Sequence, residues 1–138
     1  MPVFNLKGLL LLVFVLPMLA LVLIYQLVPQ RPTGHGWSEG KANVSSIMAP
    51  MKVEVATHNG MIPPGYDQSL NVDWKFLTLT EDDYNGTNFK ASDYRVVILS
   101  KPGEPARWQV MVTATNGRLT GVYILNTDGT VDPKSTAP

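Results

Sequence analysis

The chain has 138 residues, eleven basic against eleven acidic side chains, and no cysteine. That length holds one small domain beside any targeting segment. The charge balance argues against a nucleic-acid partner, which needs a basic face, and the missing thiols exclude disulfides, a thiolate nucleophile and zinc-thiolate sites.

Residues 1–8 form a short tail with one charged side chain, Lys7. Residues 9–28 read LLLLVFVLPMLALVLIYQLV, with no charge and one amide, Gln26. At a helical rise of about 1.5 Å per residue the run covers roughly 30 Å, the thickness of a hydrocarbon core. It is therefore expected to span the bilayer once, helical and bent near Pro17, which lacks a donor. Beyond Lys7 the chain carries ten basic and eleven acidic residues, a net charge of minus one.

Two other readings of this run have their own signatures. A cleaved signal peptide has a shorter apolar region and a small-x-small site, for which Gly34-His35-Gly36 is the nearby candidate. Lys7-Gly8 before a long apolar helix resembles the cut site of type IV pilin leaders, which implies a filament subunit cleaved after Gly8. Such leaders carry Glu at the fifth position after the glycine, where this chain has Val13. Positive charge on the two sides is close to balanced, so orientation rests on length. A short tail before a folded domain behaves as a signal anchor and puts the domain outside the cytoplasm, at a bacterial inner membrane.

Residues 29–40 are rich in Pro and Gly and are expected to be a linker, with Trp37 either at the headgroup layer or plugging the domain. Residues 41–130 are expected to form an α+β or all-β domain on an antiparallel meander, followed by a flexible tail over 131–138. Ser38 can cap a helix that turns Ile47 and Met48 inward and ends at Pro50. Residues 51–56 continue it after a kink or form a strand, giving a helix over 38–58 at its longest. Asn59-Gly60 and Pro63-Pro64-Gly65 mark a loop. Residues 72–80, VDWKFLTLT, read as a strand burying Val72, Trp74, Phe76 and Leu79, and residues 81–92 as a polar connection.

Residues 94–100 and 107–115 form two β-branched strands joined by KPGEPA. Asn116-Gly117 then predicts a two-residue hairpin pairing Ala114 with Leu119, Val112 with Gly121, Val110 with Tyr123 and Trp108 with Leu125. The other face pairs Thr113 with Thr120, Met111 with Val122 and Gln109 with Ile124. The phrase RWQVMVTATNGRLTGV resembles the closing hairpin of NTF2-like or cystatin-like rolls, over less than a fifth of the chain.

No arrangement of reactive side chains stands out. His35 and His58 fall in predicted loops without metal-ligand spacing. Residues 81–92 imitate a calcium loop, but Glu81 replaces the first Asp and Ser92 the twelfth-position Glu, so a solvated turn is expected. Asn126-Thr127-Asp128-Gly129 is a turn. Ser45, Ser46 and Ser69 lack a nucleophile elbow. Asn43-Val44-Ser45 and Asn85-Gly86-Thr87 are glycosylation sequons with meaning only in a eukaryotic lumen. Trp74, Phe76, Trp108 and Tyr123 are read as core before ligand groove.

The chain is thus expected to be non-enzymatic, without cofactor or metal. It should serve as an accessory or assembly subunit of an envelope complex, with the bilayer and other membrane or envelope proteins as partners. Met111, Val122 and Ile124 on the mixed sheet face, and Trp37, are the candidate contact residues. A periplasmic ligand-binding module is the remaining alternative.

Overall fold

A computed structural model describes residues 35–138. The expected membrane span, the tail before it and the first part of the linker lie outside the described residues. Among the described residues no helix is long and apolar enough to cross a membrane. They form an α+β unit of one long helix against a three-stranded antiparallel sheet.

Helix α1 is His35–Thr57. Trp37, Val44, Ile47, Met48, Met51 and Val55 recur at steps of three and four and form one buried stripe. The structure corrects the expected linker and the expected stop, because the helix already includes residues 35–40 and runs through Pro50. Both departures have a packing cause. A Cβ on Gly36 would meet Leu119 Cδ2 at 2.9 Å, and one on Gly40 would meet Phe89 Cε2 at 2.8 Å, so the glycines admit two side chains against the helix. Pro50 costs a backbone bond, but buried Met48, Met51 and Val55 on either side hold the helix against the core. Asn59 and Gly60, at φ 56 and 77, end it, with Gly60 N–H on Val55 O at 2.9 Å.

The strand expected over 72–80 does not form. Asp73 is buried, and its carboxylate accepts the N–H groups of Asp67 and Phe76, each at 3.0 Å. Leu77 N–H returns to Asp73 O and Leu79 N–H to Trp74 O, with Thr78 at φ 56, so the chain curls where a ladder was expected. Val72 and Leu77 turn fully inward, while Trp74, Phe76 and Leu79 pack on the core's rim.

The polar connection that follows contains two short 3-10 helices, Glu81–Tyr84 and Ala91–Asp93. Its polar side chains stay outside, while Tyr84, Phe89 and Ala91 are buried. Glu39 of α1 fastens it by accepting the N–H groups of Asn88 and Phe89 and the Asn88 side-chain amide.

The sheet comprises β1 Tyr94–Ile98, β2 Trp108–Thr113 and β3 Val122–Asn126, in that spatial order. Between β2 and β3 the structure pairs Val112 with Tyr123 and Val110 with Leu125, two residues from the expected register. Asn116 causes the offset: its Oδ1 accepts the N–H groups of Arg118 and Leu119, which widens the turn and folds Leu119 inward over Gly36. Gly121, at φ 110, brings the chain back into the ladder. A slip of two preserves side-chain parity, so the expected faces remain correct.

The inner face meets α1. Trp108 Nε1 donates to Met48 Sδ at 3.1 Å, and Asn43 Nδ2 to the Tyr94 hydroxyl at 2.8 Å. Ring contacts run from Trp37 to Phe89, Tyr94, Tyr84 and Trp74 through the centre of the core.

The flexible tail expected over 131–138 is instead docked on β3. Val131 bridges Leu125, Asp132 N–H bonds Ile124 O at 3.0 Å, and Thr136 N–H bonds Val122 O at 2.8 Å. Thr136 Oγ1 and Ser135 Oγ accept the N–H groups of Val122 and Ile124, so this segment occupies the hydrogen-bonding groups of that sheet edge.

Candidate partner-contact surface

The two candidates with buried side chains leave the contact surface. Trp37 is fully buried against Phe89, ring centroids 5.1 Å apart, which corrects its assignment as a partner contact: it plugs the domain. Its indole N–H has no acceptor among the described residues. Ile124 faces away from α1 as expected but is 5% exposed, because the docked C-terminal segment crosses beside it.

Met111 and Val122 remain half-buried on the outer sheet face. The register sets Arg95, Met111 and Ile124 in one row, Val97, Gln109 and Asn126 in the next, and Thr113 opposite Val122. Gln109 Nε2 donates to Asn126 Oδ1 and Asp132 Oδ2, both at 2.8 Å, which closes the β3 side. The β1 side is open. A recess of about 280 Å³ is lined there by Asp93, Arg95, Met111, Thr113 and Thr115.

The edge of β1 adds a feature that periodicity alone cannot reveal. Leu99 N–H bonds Arg107 O at 2.8 Å, so the odd-numbered residues of β1 exchange bonds with β2. Tyr94, Val96 and Ile98 therefore point their main-chain groups away from the sheet. Tyr94 N–H reaches Ala91 O, and Val96 N–H reaches Asn71 O at 2.7 Å. Ile98 N–H and the carbonyls of Val96 and Ile98 have no partner among the described residues.

Two recesses flank this edge and share Gln68 and Ile98. One, about 360 Å³, lies between residues 68–71 and 95–98 and is mostly polar. The other, about 290 Å³, lies among Met61, Ile62, Pro64, Tyr66, Ile98 and Pro102. Met61 in the second and Leu70 in the first stand exposed, at 41% and 48%.

The titratable groups serve local structure. His35 begins α1 and His58 follows its end, so their backbones are roughly 35 Å apart by helical rise. His58 Nδ1 lies 2.8 Å from Glu54 O and 4.0 Å from the Glu54 carboxylate. Among the described residues no group of three or more His, Asp or Glu could hold a metal ion. Hydrogen bonds from Ser69 and Thr130 hold the Asp67 and Asp128 carboxyls below the ordinary range. Burial pushes the Tyr66 and Tyr94 hydroxyls up to about 12. Ser45 and Ser46 bond the backbone of their own helix, and Ser69 bonds Asp67. Trp74 and Phe76 contact Tyr84 and Tyr66 as ring pairs.

Compared with protein-family models, curated proteins and solved structures, the chain finds no match in any of the three.

Proposed function

We propose that this protein is a membrane-anchored, non-enzymatic accessory or assembly subunit of a larger bacterial envelope complex. The uncharged run over residues 9–28 serves as a retained anchor and leaves the described domain on the extracytoplasmic side of the inner membrane. The observation that carries the reading is the contrast between that run and a domain whose buried and clustered polar groups serve its own turns and caps. What the domain offers a partner is surface: the open part of the outer sheet face, with Met111 and Val122, and the edge of β1.

The test is purification from the native membrane after chemical cross-linking, followed by intact-mass measurement. The expected result is a chain that resists alkaline extraction, keeps residues 1–8 and carries cross-links to other envelope proteins. A detergent-solubilised lone monomer without a co-purifying protein overturns the reading. A mass corresponding to cleavage after Gly8 would replace it with a pilin-type subunit, and a water-soluble chain beginning near Trp37 would remove the anchor.

A further inference from the structure

We propose that Asn116 is a self-modification site: in the folded domain its carboxamide closes on the Gly117 nitrogen, releases ammonia and leaves aspartate or isoaspartate in the turn after β2. The inference goes beyond the anchored-subunit reading and does not depend on it.

The chain carries three Asn-Gly pairs, at residues 59–60, 85–86 and 116–117, and all three asparagines are exposed. With no side chain on the following residue, each pair leaves the attacking backbone nitrogen unshielded, so the fold decides between them. That nitrogen must lose its proton before it can attack. Gly60 N–H is committed to Val55 O and Gly86 N–H to Phe89 O, both at 2.9 Å. Gly117 N–H has no partner among the described residues, and the residue is exposed, at φ 72. Water and hydroxide therefore reach this proton and not the other two.

The carboxamides differ as well. Asn59 makes no side-chain hydrogen bond among the described residues, and Asn85 Oδ1 accepts one, from Ala91 N–H at 3.0 Å. Asn116 Oδ1 accepts two, from Arg118 N–H at 3.0 Å and Leu119 N–H at 3.1 Å, which folds the carboxamide back across the Gly117 peptide. Asn116 Nδ2 donates to Asn88 O at 2.6 Å and fixes which end of the amide faces those donors. When the Gly117 nitrogen bonds to Cγ, negative charge develops on Oδ1, where two main-chain N–H groups already point. The Gly117 proton goes to water or hydroxide, the N–Cγ bond forms, and the Cγ–Nδ2 bond breaks as Nδ2 takes a proton and leaves as ammonia. One water then opens the cyclic imide at either carbonyl. The product carries one more negative charge and, in the iso form, an extra methylene in the main chain. That form loses the clamp that folds Leu119 over Gly36, so the turn loosens from the start of α1.

The experiment incubates the full-length chain in detergent micelles at mildly alkaline pH, folded and in urea, and follows each Asn-Gly pair by peptide mapping with mass spectrometry. Folding is expected to slow conversion at Asn59 and Asn85 about tenfold or more, while Asn116 reacts at least as fast folded as in urea. Arg118→Pro deletes one of the two donors to Oδ1 and should slow Asn116 several-fold in the folded chain without changing its rate in urea. If that variant fails to fold, seen as Asn59 and Asn85 reacting at their urea rates, the folded-to-urea ratios of the unaltered chain still decide. Isoaspartate formation should shift the Leu119 and Gly36 amide resonances together. The proposal is overturned if Asn59 or Asn85 converts as fast as Asn116 in the folded chain, or if folding slows Asn116. It is also overturned if folded Arg118→Pro converts at the unaltered rate. Each of these leaves the anchored-subunit reading intact, since that depends on cross-links and mass.

Discussion

Gly40 places the Phe89 ring against α1, and Glu39 beside it takes the main-chain N–H groups of Asn88 and Phe89. A methyl at residue 40 would lie 2.8 Å from the ring, so Gly40→Ala should destabilise the domain by about 1–3 kcal/mol despite the better helix propensity of alanine. Urea unfolding with an unchanged slope is the check; a stabilised variant would mean that the ring gives way freely. Tyr66 and Tyr94 supply a second test. Their hydroxyls titrate near 12, above the ordinary 10.0, chiefly because they are buried. A raised folded-state pKa contributes stability that is fully present below pH 10 and lost as pH rises towards 12. The urea midpoint should therefore fall over that window, and Tyr94→Phe should reduce the fall. At this scale the sequence made the turn residues legible, Asn59-Gly60 and Asn126 to Gly129 among them. Trp37 was not, because its surroundings depend on Phe89, distant in the chain and hidden in a stretch of polar residues.

Among the elements, α1 and the β2–β3 pair show where local pattern meets its limit. Ile47 and Met48 turn inward as their spacing predicts, but a proline stop signal at residue 50 yields to the buried stripe that continues through Met51 and Val55. Pro50→Ala should restore a helix bond and stabilise the domain by about 1–2 kcal/mol, read as a raised thermal midpoint. A fall would show that the ring itself packs usefully. In the hairpin, alternation fixed which residues face the helix, and the Asn116 side chain then shifted the pairing by two. Residues 72–80 have strand composition, and only the burial of Asp73 explains why they curl. A carboxylate hidden at the second position of an apolar, aromatic-rich run is a tertiary fact, invisible to periodicity.

Across the molecule, the two sides of the sheet and its two edges are treated differently. The inner side is filled by α1 and the aromatic chain, while the outer side is covered by residues 131–136 near β3 and open near β1. The meander followed from the sequence, which left α+β and all-β both open, whereas the full length of α1 and the docked C-terminus did not. Its Pro, Ser and Thr content matches that of a loose end, and its anchorage depends on main-chain groups of β3. Deleting residues 132–138 should cost about 3–5 kcal/mol, from lost hydrogen bonds and the uncovering of Ile124. It should also make the domain self-associate, which sedimentation velocity would detect; a monomer of undiminished stability would show that the segment contributes little.

That asymmetry limits how many neighbours the sheet can acquire. A module with two open rims could pass strands from copy to copy and grow into a fibre, whereas one sealed rim makes every docking event terminal. With the β3 rim held by residues 131–136, strand-by-strand growth through this sheet has no second rim from which to propagate.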